Sequence, residues 1–150
     1  MPDDWRTVAD PGRAAGGSAC PRAREGAEVN PNPPVRCTAM AHVADVGRSI
    51  AFYEQLGFEA VQTYAPEGRL CWAFLQSGFA GLMVTLADAP IARDAQGVLF
   101  YIYFPDIAAK HAELSEKGME VGPMSHPPYC PDGEFRLLDP DGYCLMLTHA

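Results

Sequence analysis

The sequence predicts an α+β fold in which a unit of one strand, one helix and three strands occurs twice. Two observations predict the unit: short apolar runs separated by turn residues, and two amphipathic segments that begin at an aspartate and end at a glycine. The third observation is the repeat itself. Matched landmarks are offset by 61 residues at the helix start and by 63 in the last strand, so a small slip in the loops reconciles the two halves.

The first unit begins with a short apolar strand, Cys37–Val43. Asp45 is a suitable N-cap, because its carboxylate can accept the free amides of a first helical turn. Apolar residues then recur at helical spacing until Gly57, which can adopt the left-handed conformation that ends a helix. Three strands are predicted next: Phe58–Tyr64, Leu70–Gln76 and Gly81–Leu86.

The second unit repeats this order. Val98–Phe104 is rich in residues that favour strands, Asp106 is the N-cap, and Gly118 ends the helix. The predicted strands that follow are Met119–Gly122, Glu134–Leu138 and Tyr143–Thr148. The run Asp139–Gly142 (DPDG) predicts a tight turn between the last two strands.

The chain is predicted to divide into a tail and one domain. Residues 1–34 are rich in Gly, Ala, Arg and Pro without apolar periodicity, so we expect a disordered extension that cannot offset its ordering entropy. We expect residues 35–150 to form the domain. Its two modules span about residues 37–88 and 97–149.

Composition excludes several classes of partner. The net charge is −8 and no basic stripe occurs, which disfavours nucleic acids and anionic membrane surfaces. No apolar run approaches the roughly 18 residues that span a bilayer. The five cysteines are odd in number and contain no CxxC pair, so we expect reduced thiols in a cytoplasmic protein.

Several segments together resemble the vicinal oxygen chelate superfamily, which includes glyoxalases, extradiol dioxygenases and bleomycin-resistance proteins. The segments are Ser49–Phe58 (SIAFYEQLGF), Asp106–Gly118, Gly133–Arg136 and Asp139–Tyr143 (DPDGY). The resemblance covers residues 37–149. It implies that two curled mixed sheets form a cup.

In enzymes of that family the cup holds a divalent metal on His and Glu side chains. The matching positions here are Thr38, Met83, Leu99 and Met146. Hard cations need carboxylate oxygens and borderline ones need imidazole or thiolate, so this set predicts no metal and no cofactor. A shift of register along the first strand brings His42 to the first position but adds no acid to the last strands.

Strand alternation predicts which side chains would line the cup. The predicted ligand-binding residues are Met40, His42, Trp72, Phe74, Met83, Thr85, Leu99, Tyr101, Tyr103, Glu134, Arg136 and Met146. Such a lining of aromatic and thioether groups with a few polar ones is typical of small-molecule sites. The alternative is that the aromatic and methionine stripes are ordinary core.

Individual polar residues leave further alternatives open. His42 and Glu134 are weak candidates for a general base. Glu134 and Arg136 either bind a polar group of a ligand or pair with each other. Trp72 and Phe74 either stack on a planar ligand or pack in the core.

These observations predict a small-molecule binding protein that sequesters an aromatic or cationic ligand without metal. The resemblance implies a homodimer with sites between modules of different subunits. The alternative is a lyase, isomerase or dioxygenase-like enzyme of the same superfamily, either metal-free or with relocated metal ligands. A scaffold or regulatory domain with an empty cup is a third hypothesis.

Overall fold

The computed structural model of the chain describes residue 32 and residues 34–150. The predicted tail therefore lies, apart from two residues, outside the described residues. Among these described residues, the first strand begins at Ala39 and the last ends at His149. No helix in this described part is long and apolar enough to cross a bilayer.

Both predicted modules are present, and most of their strand ends differ from the predicted ones by one or two residues. The first module comprises β1 (Ala39–Val43), α1 (Val46–Gln55), β2 (Glu59–Tyr64), β3 (Trp72–Ser77) and β4 (Ala80–Leu86). The second comprises β5 (Leu99–Phe104), α2 (Ile107–Glu116), β6 (Glu134–Leu138) and β7 (Cys144–His149). The α+β fold class is confirmed.

The two sheets share one topology. The first sheet has the order β1-β4-β3-β2 and the second has the order β5-β7-β6. In each, the strand before the helix lies parallel to the last strand of the module, and the remaining neighbours are antiparallel. Met40 lies opposite Met83, and Tyr101 lies opposite Met146. The sequence repeat is therefore also a repeat of strand pairing.

Both helices begin and end where the sequence predicts. The Asp45 carboxylate accepts the amide of Arg48 at 2.9 Å, and the Asp106 carboxylate accepts that of Ala109 at 2.9 Å. Gly57 follows α1 with φ of 96°, a left-handed value that side chains disfavour. The aspartate caps and the glycine stop are confirmed.

The predicted strand at Met119–Gly122 does not form a regular strand. The segment nevertheless follows the edge of β6, since the Gly122 amide donates to the Arg136 carbonyl at 2.8 Å and Ser125 forms a bridge with Glu134. Four prolines lie in the segment that follows Gly122, and each lacks the amide that continues a ladder. The second sheet consequently has three strands where the first has four.

The core lies between each sheet and its helix. Alternate strand residues face the helix and are buried, among them Leu82 and Val84 in β4 and Leu145 and Leu147 in β7, as alternation predicts. Burying one such side chain stabilises the fold by about 1.5–3 kcal/mol. The opposite face of each sheet carries no helix, and we call it the open face of that sheet.

The turn between β6 and β7 joins the second module to the first. Asp139 is only 1% exposed, and its Oδ2 accepts a hydrogen bond from the Tyr53 hydroxyl of α1 at 3.1 Å. Its Oδ1 accepts the amides of Asp141 and Tyr143. Burial raises the pKa of Asp139, and burial together with the nearby Asp139 carboxylate raises the pKa of Tyr53.

The second aspartate of the turn strengthens this junction. Asp141 Oδ1 accepts the amide of Ala44 at 3.2 Å and the Arg48 guanidinium at 3.1 Å. The Tyr143 hydroxyl donates to the His42 carbonyl at 3.2 Å. The start of α1 and the end of β1 are therefore held against the second module.

Candidate ligand-binding site

The open face of the first sheet presents two rows of side chains. Strand register places His42, Thr85 and Trp72 side by side across three strands. The neighbouring row consists of Met40, Met83 and Phe74. None of the six is fully buried. The structure thus brings together the six predicted residues of the first module on one partly exposed face.

A cation that the sequence did not predict lies at the end of this face. The Arg36 guanidinium lies 4.7 Å from the centre of the Phe74 ring, and its Nε donates to Thr38 Oγ1 at 3.0 Å. Such a cation–π contact contributes about 0.5–1 kcal/mol at an exposed site. No sequence signal marks Arg36, because it precedes the first strand and only the tertiary fold brings it to Phe74.

The open face of the second sheet carries tyrosines and charges. Its first row is Tyr103, Thr148 and Glu134, and its second is Tyr101, Met146 and Arg136. A third row contains Leu99, Cys144 and Leu138. The rings of Tyr101 and Tyr103 are stacked with their centres 6.3 Å apart, and about half or more of each side chain is exposed.

Glu134 and Arg136 do not pair with each other, so that alternative is wrong. Glu134 is 5% exposed, and its Oε1 accepts the Tyr129 hydroxyl at 2.8 Å. The Arg136 side chain extends towards the third row, where its Nε donates to Cys144 Sγ at 3.2 Å. The two charges on this strand are therefore held by different partners.

The loop of residues 123–133 covers one end of this open face. Cys130 Sγ lies 3.0 Å from Thr148 Oγ1, and Tyr129 reaches Glu134 while remaining 74% exposed. The hydrogen bond to the Glu134 carboxylate raises the pKa of Tyr129. Sequence reasoning missed Tyr129 because its role depends on a loop conformation that no periodicity encodes.

A cavity of about 310 Å³ lies at the seam between the two modules. Its lining residues are Ala39, Tyr53, Phe58, Ala80, Gly81, Leu82, Phe100, Tyr101, Ile102 and Tyr103. Only Tyr101 and Tyr103 belong to the predicted lining. Phe100 and Ile102 are on the helix side of β5, as alternation predicts. The gap beside them depends on how the two modules meet, which the sequence does not reveal.

The residues at the positions of the family metal site do not fit a metal ion. Thr38, Met83, Leu99 and Met146 offer one hydroxyl, two thioethers and a hydrocarbon. The Thr38 hydroxyl already accepts a hydrogen bond from the positively charged Arg36. Within the described residues no three His, Cys, Asp or Glu side chains are grouped to hold an ion.

The two weak catalytic candidates lie on different sheets. His42 is on the first open face, and its imidazole makes no hydrogen bond within the described residues. Glu134 is on the second and is engaged by Tyr129. A base is normally oriented by a third group, and only Glu134 has such a neighbour here.

The family of the chain follows from comparison with known families. Residues 38–147 match the model of the Glyoxalase/Bleomycin resistance protein/Dioxygenase superfamily. Since the match covers well over half of the chain, the protein belongs to that superfamily. The resemblance that the sequence motifs carried is confirmed.

Solved structures with the same fold include antibiotic-binding proteins. A bleomycin-binding protein complexed with bleomycin is 22% identical, with a TM-score of 0.64 over 77% of this chain and 98% of that one. A bleomycin resistance determinant encoded on the transposon Tn5 is 22% identical, with a TM-score of 0.64 over 76% and 96% of the two chains.

TnmS3, an antibiotic-binding protein from Streptomyces sp. CB03234, is also 22% identical, with a TM-score of 0.58 over 75% and 92%. Identities of this size establish the fold alone. No curated protein matches the chain significantly.

Proposed function

We propose that this protein binds a small aromatic or cationic molecule on its open faces and sequesters it, without a metal and without chemical conversion. The observation that carries the proposal is the side-chain content of the two open faces. Aromatic rings and thioethers dominate them, and a few polar groups are interspersed. Pockets for small molecules are mostly apolar with a small number of orienting polar groups.

The exposure of these faces supports binding. Met40, Leu99, Tyr101 and Tyr103 are each about half exposed or more, although a strand face without function usually carries polar residues. Contiguous exposed apolar surface of this kind marks a site for a ligand or a partner. Methionine adapts its shape to different ligands, which suits capture rather than positioning for a reaction.

Charge favours a cationic ligand. The chain carries a net charge of −8, and an acidic surface raises the local concentration of cations. The same fold occurs in the bleomycin-binding and antibiotic-binding proteins named above. We therefore propose an antibiotic-like ligand class: a planar or aromatic molecule with a positive group.

We further propose that the protein is a cytoplasmic homodimer in which the open face of one module meets that of a different module in the partner. A second subunit would cover the exposed side chains and turn two shallow faces into one cleft. The four cysteines in the described residues are free thiols, as the reducing cytoplasm allows. Sedimentation equilibrium over a hundredfold range of concentration tests the dimer.

The binding proposal is tested by thermal unfolding and calorimetric titration with two compounds. Bleomycin is chosen because it is bound by a protein with the same fold, and phenyltrimethylammonium is chosen as a minimal aromatic cation. A ligand at 100 times its dissociation constant stabilises the folded state by about 2.7 kcal/mol. We expect stabilisation by at least one of the two compounds, and we expect weaker stabilisation by bleomycin in Trp72→Ala. Phe79→Ala is the matched control, because Phe79 is fully exposed in the turn between β3 and β4.

Metal analysis of the purified protein tests whether the protein is metal-free. About one tightly held divalent ion per chain, whose removal by a chelator abolishes binding, would overturn the metal-free proposal. Turnover of a bound compound to a new product would overturn sequestration. Failure of both compounds to stabilise the chain at millimolar concentration would contradict the proposed ligand class.

A further inference from the structure

We infer that Tyr101, Tyr103, Tyr129 and Glu134 form a cage for the alkylated ammonium group of an organic cation. The inference rests on the proposed function and adds the chemical group that is recognised and the residues that recognise it. Aromatic rings attract a cation over their faces, and a nearby carboxylate adds direct charge pairing. The four side chains lie on the open face of the second sheet as two contacting pairs, Tyr101 with Tyr103 and Tyr129 with Glu134.

Strand register defines the spacing of the cage. Tyr103 and Glu134 both lie opposite Thr148, one on each side of the central strand. Two strand spacings separate them by about 10 Å. The stacked rings of Tyr101 and Tyr103 form one wall, and Glu134 lies at the other side. Met146 forms the floor between them, because the hydroxyl of Thr148 is covered by Cys130 and Gly133 of the loop.

Tyr129 forms the third aromatic wall and covers the carboxylate. Its ring is 74% exposed, and one side-chain hydrogen bond, from its hydroxyl to Glu134 Oε1, ties it to the sheet. A side chain packed so little can rotate outwards and expose the carboxylate to a ligand.

Within the described residues, Glu134 Oε2 accepts no hydrogen bond. Oε2 is not among the buried unpartnered oxygens of the described residues, so it keeps contact with solvent and can accept a charged hydrogen bond or pair with an incoming cation. The positive group that could compete is Arg136 on the same strand. Its Nε is directed to Cys144, one row beyond Met146 and away from Glu134.

The cage suits an organic ammonium better than a metal ion. A hard divalent cation needs six or more oxygen ligands, and this site offers one carboxylate and hydroxyls. An alkylated ammonium is weakly hydrated and needs only apolar contact and negative charge, which three rings and one carboxylate provide.

The test compares phenyltrimethylammonium with tert-butylbenzene, its uncharged counterpart of the same shape, by proton NMR titration of the full-length protein. We expect at least tenfold tighter binding of the cation, with an upfield shift of its methyl protons from the tyrosine rings. Weakening of the cation's affinity by salt, with no effect on the neutral compound, would accompany it.

Two substitutions test the residues. Glu134→Gln should remove most of the preference for the cation, whereas Glu120→Gln, on an exposed residue outside the face, should not. Tyr103→Leu should abolish the upfield methyl shift, and Phe79→Leu, in the exposed turn between β3 and β4, is its control. These variants are independent, so a failure of one to fold leaves the other decisive.

Tyr129→Phe is predicted to strengthen cation binding severalfold, because the carboxylate loses its competing hydroxyl while the ring remains. Unchanged or weaker binding would show that Tyr129 is not the displaced cover and would overturn that part of the cage. Equal affinity for the charged and neutral compounds would overturn the cage and leave the proposed function intact. Absence of binding by both would overturn the cage, and the titration with bleomycin would then decide the proposed function separately.

Discussion

The two open faces carry the same residue types on matching strands, β4 and β7, and differ on the strands at either side. Thr85 and Met83 of the first sheet correspond to Thr148 and Met146 of the second. On one flank of the central strand, the first sheet has Trp72 and Phe74 where the second has Glu134 and Arg136. On the other flank, Met40 and His42 correspond to Tyr101 and Tyr103.

This difference separates the strand positions that are alike in the two modules from those that are not. Residues that face the helix must pack, so both modules keep apolar side chains there. Residues of the open face are free of that requirement, and the two modules have acquired different chemistry. The first sheet offers stacking and thioether surface, whereas the second offers tyrosines, a buried acid and a guanidinium.

The segments after the two helices differ as well. After α1 the chain forms β2, which pairs with β3. After α2 it forms a proline-rich loop that brings Tyr129 and Cys130 onto the open face. Where the first module has a regular edge strand, the second module therefore has a loop that covers Glu134.

The largest predicted effect concerns the turns. The turn between β6 and β7 is buried against α1, whereas the turn between β3 and β4 is exposed. Asp139→Ala should lower the free energy of unfolding by about 3 kcal/mol, because three buried donors lose their acceptor. Urea denaturation measures it. Ser77→Ala, at the exposed end of β3 next to that turn, is the control and should change stability by about 0.5 kcal/mol or less.

The next effect separates the two open faces by ligand. Trp72→Ala should weaken binding of neutral tert-butylbenzene about tenfold, since stacking contributes about 0.5–1.5 kcal/mol beyond buried area. Glu134→Gln should leave the affinity for that compound within about twofold, because a neutral ligand gains nothing from a carboxylate. Calorimetry or NMR titration measures both. An equal loss of affinity in the two variants would mean that both faces bind the neutral compound, contrary to this prediction.

A smaller effect concerns the contact at the edge of the first open face. Arg36→Met should lower the free energy of unfolding by about 0.5 kcal/mol through loss of the contact with Phe74. Arg69→Met provides a control with the same change of charge. A loss as large as that of Asp139→Ala would indicate a structural role that the contacts do not suggest.

The smallest effect concerns the ion pairs on the surface of helix α2. On α2, hydrogen bonds from Lys110 and then Lys117 lower the pKa of Glu113 to about 2 from its ordinary value of 4.5. A depressed pKa means that the stabilisation is present above pH 4.5 and disappears as the pH falls towards 2. NMR titration should show it, and Lys117→Met should raise the pKa. A pKa near 4.5 would show that the lysines do not hold Glu113.

An element could be predicted from the sequence when the interactions that form it join residues close together in the chain. Asp45, Asp106 and Gly57 act within one helical turn, so their roles were visible in the sequence. The strand at Met119–Gly122 was predicted wrongly, because its short apolar pattern was overridden by the prolines after it. Tyr129, Arg36 and the cavity at the seam depend on contacts between distant segments and carry no local signal.

The sequence alone determined the repeated order of elements and the division of each strand into a helix side and an open face, and its motifs carried the resemblance to the family. The order and the faces follow from the alternation of apolar residues and from short capping and turn motifs, which act over a few residues. Only the tertiary structure decided that Glu134 is held by Tyr129 rather than by Arg136, and that the DPDG turn holds α1. Such choices depend on which partner is nearest in space, and distance along the chain does not specify that.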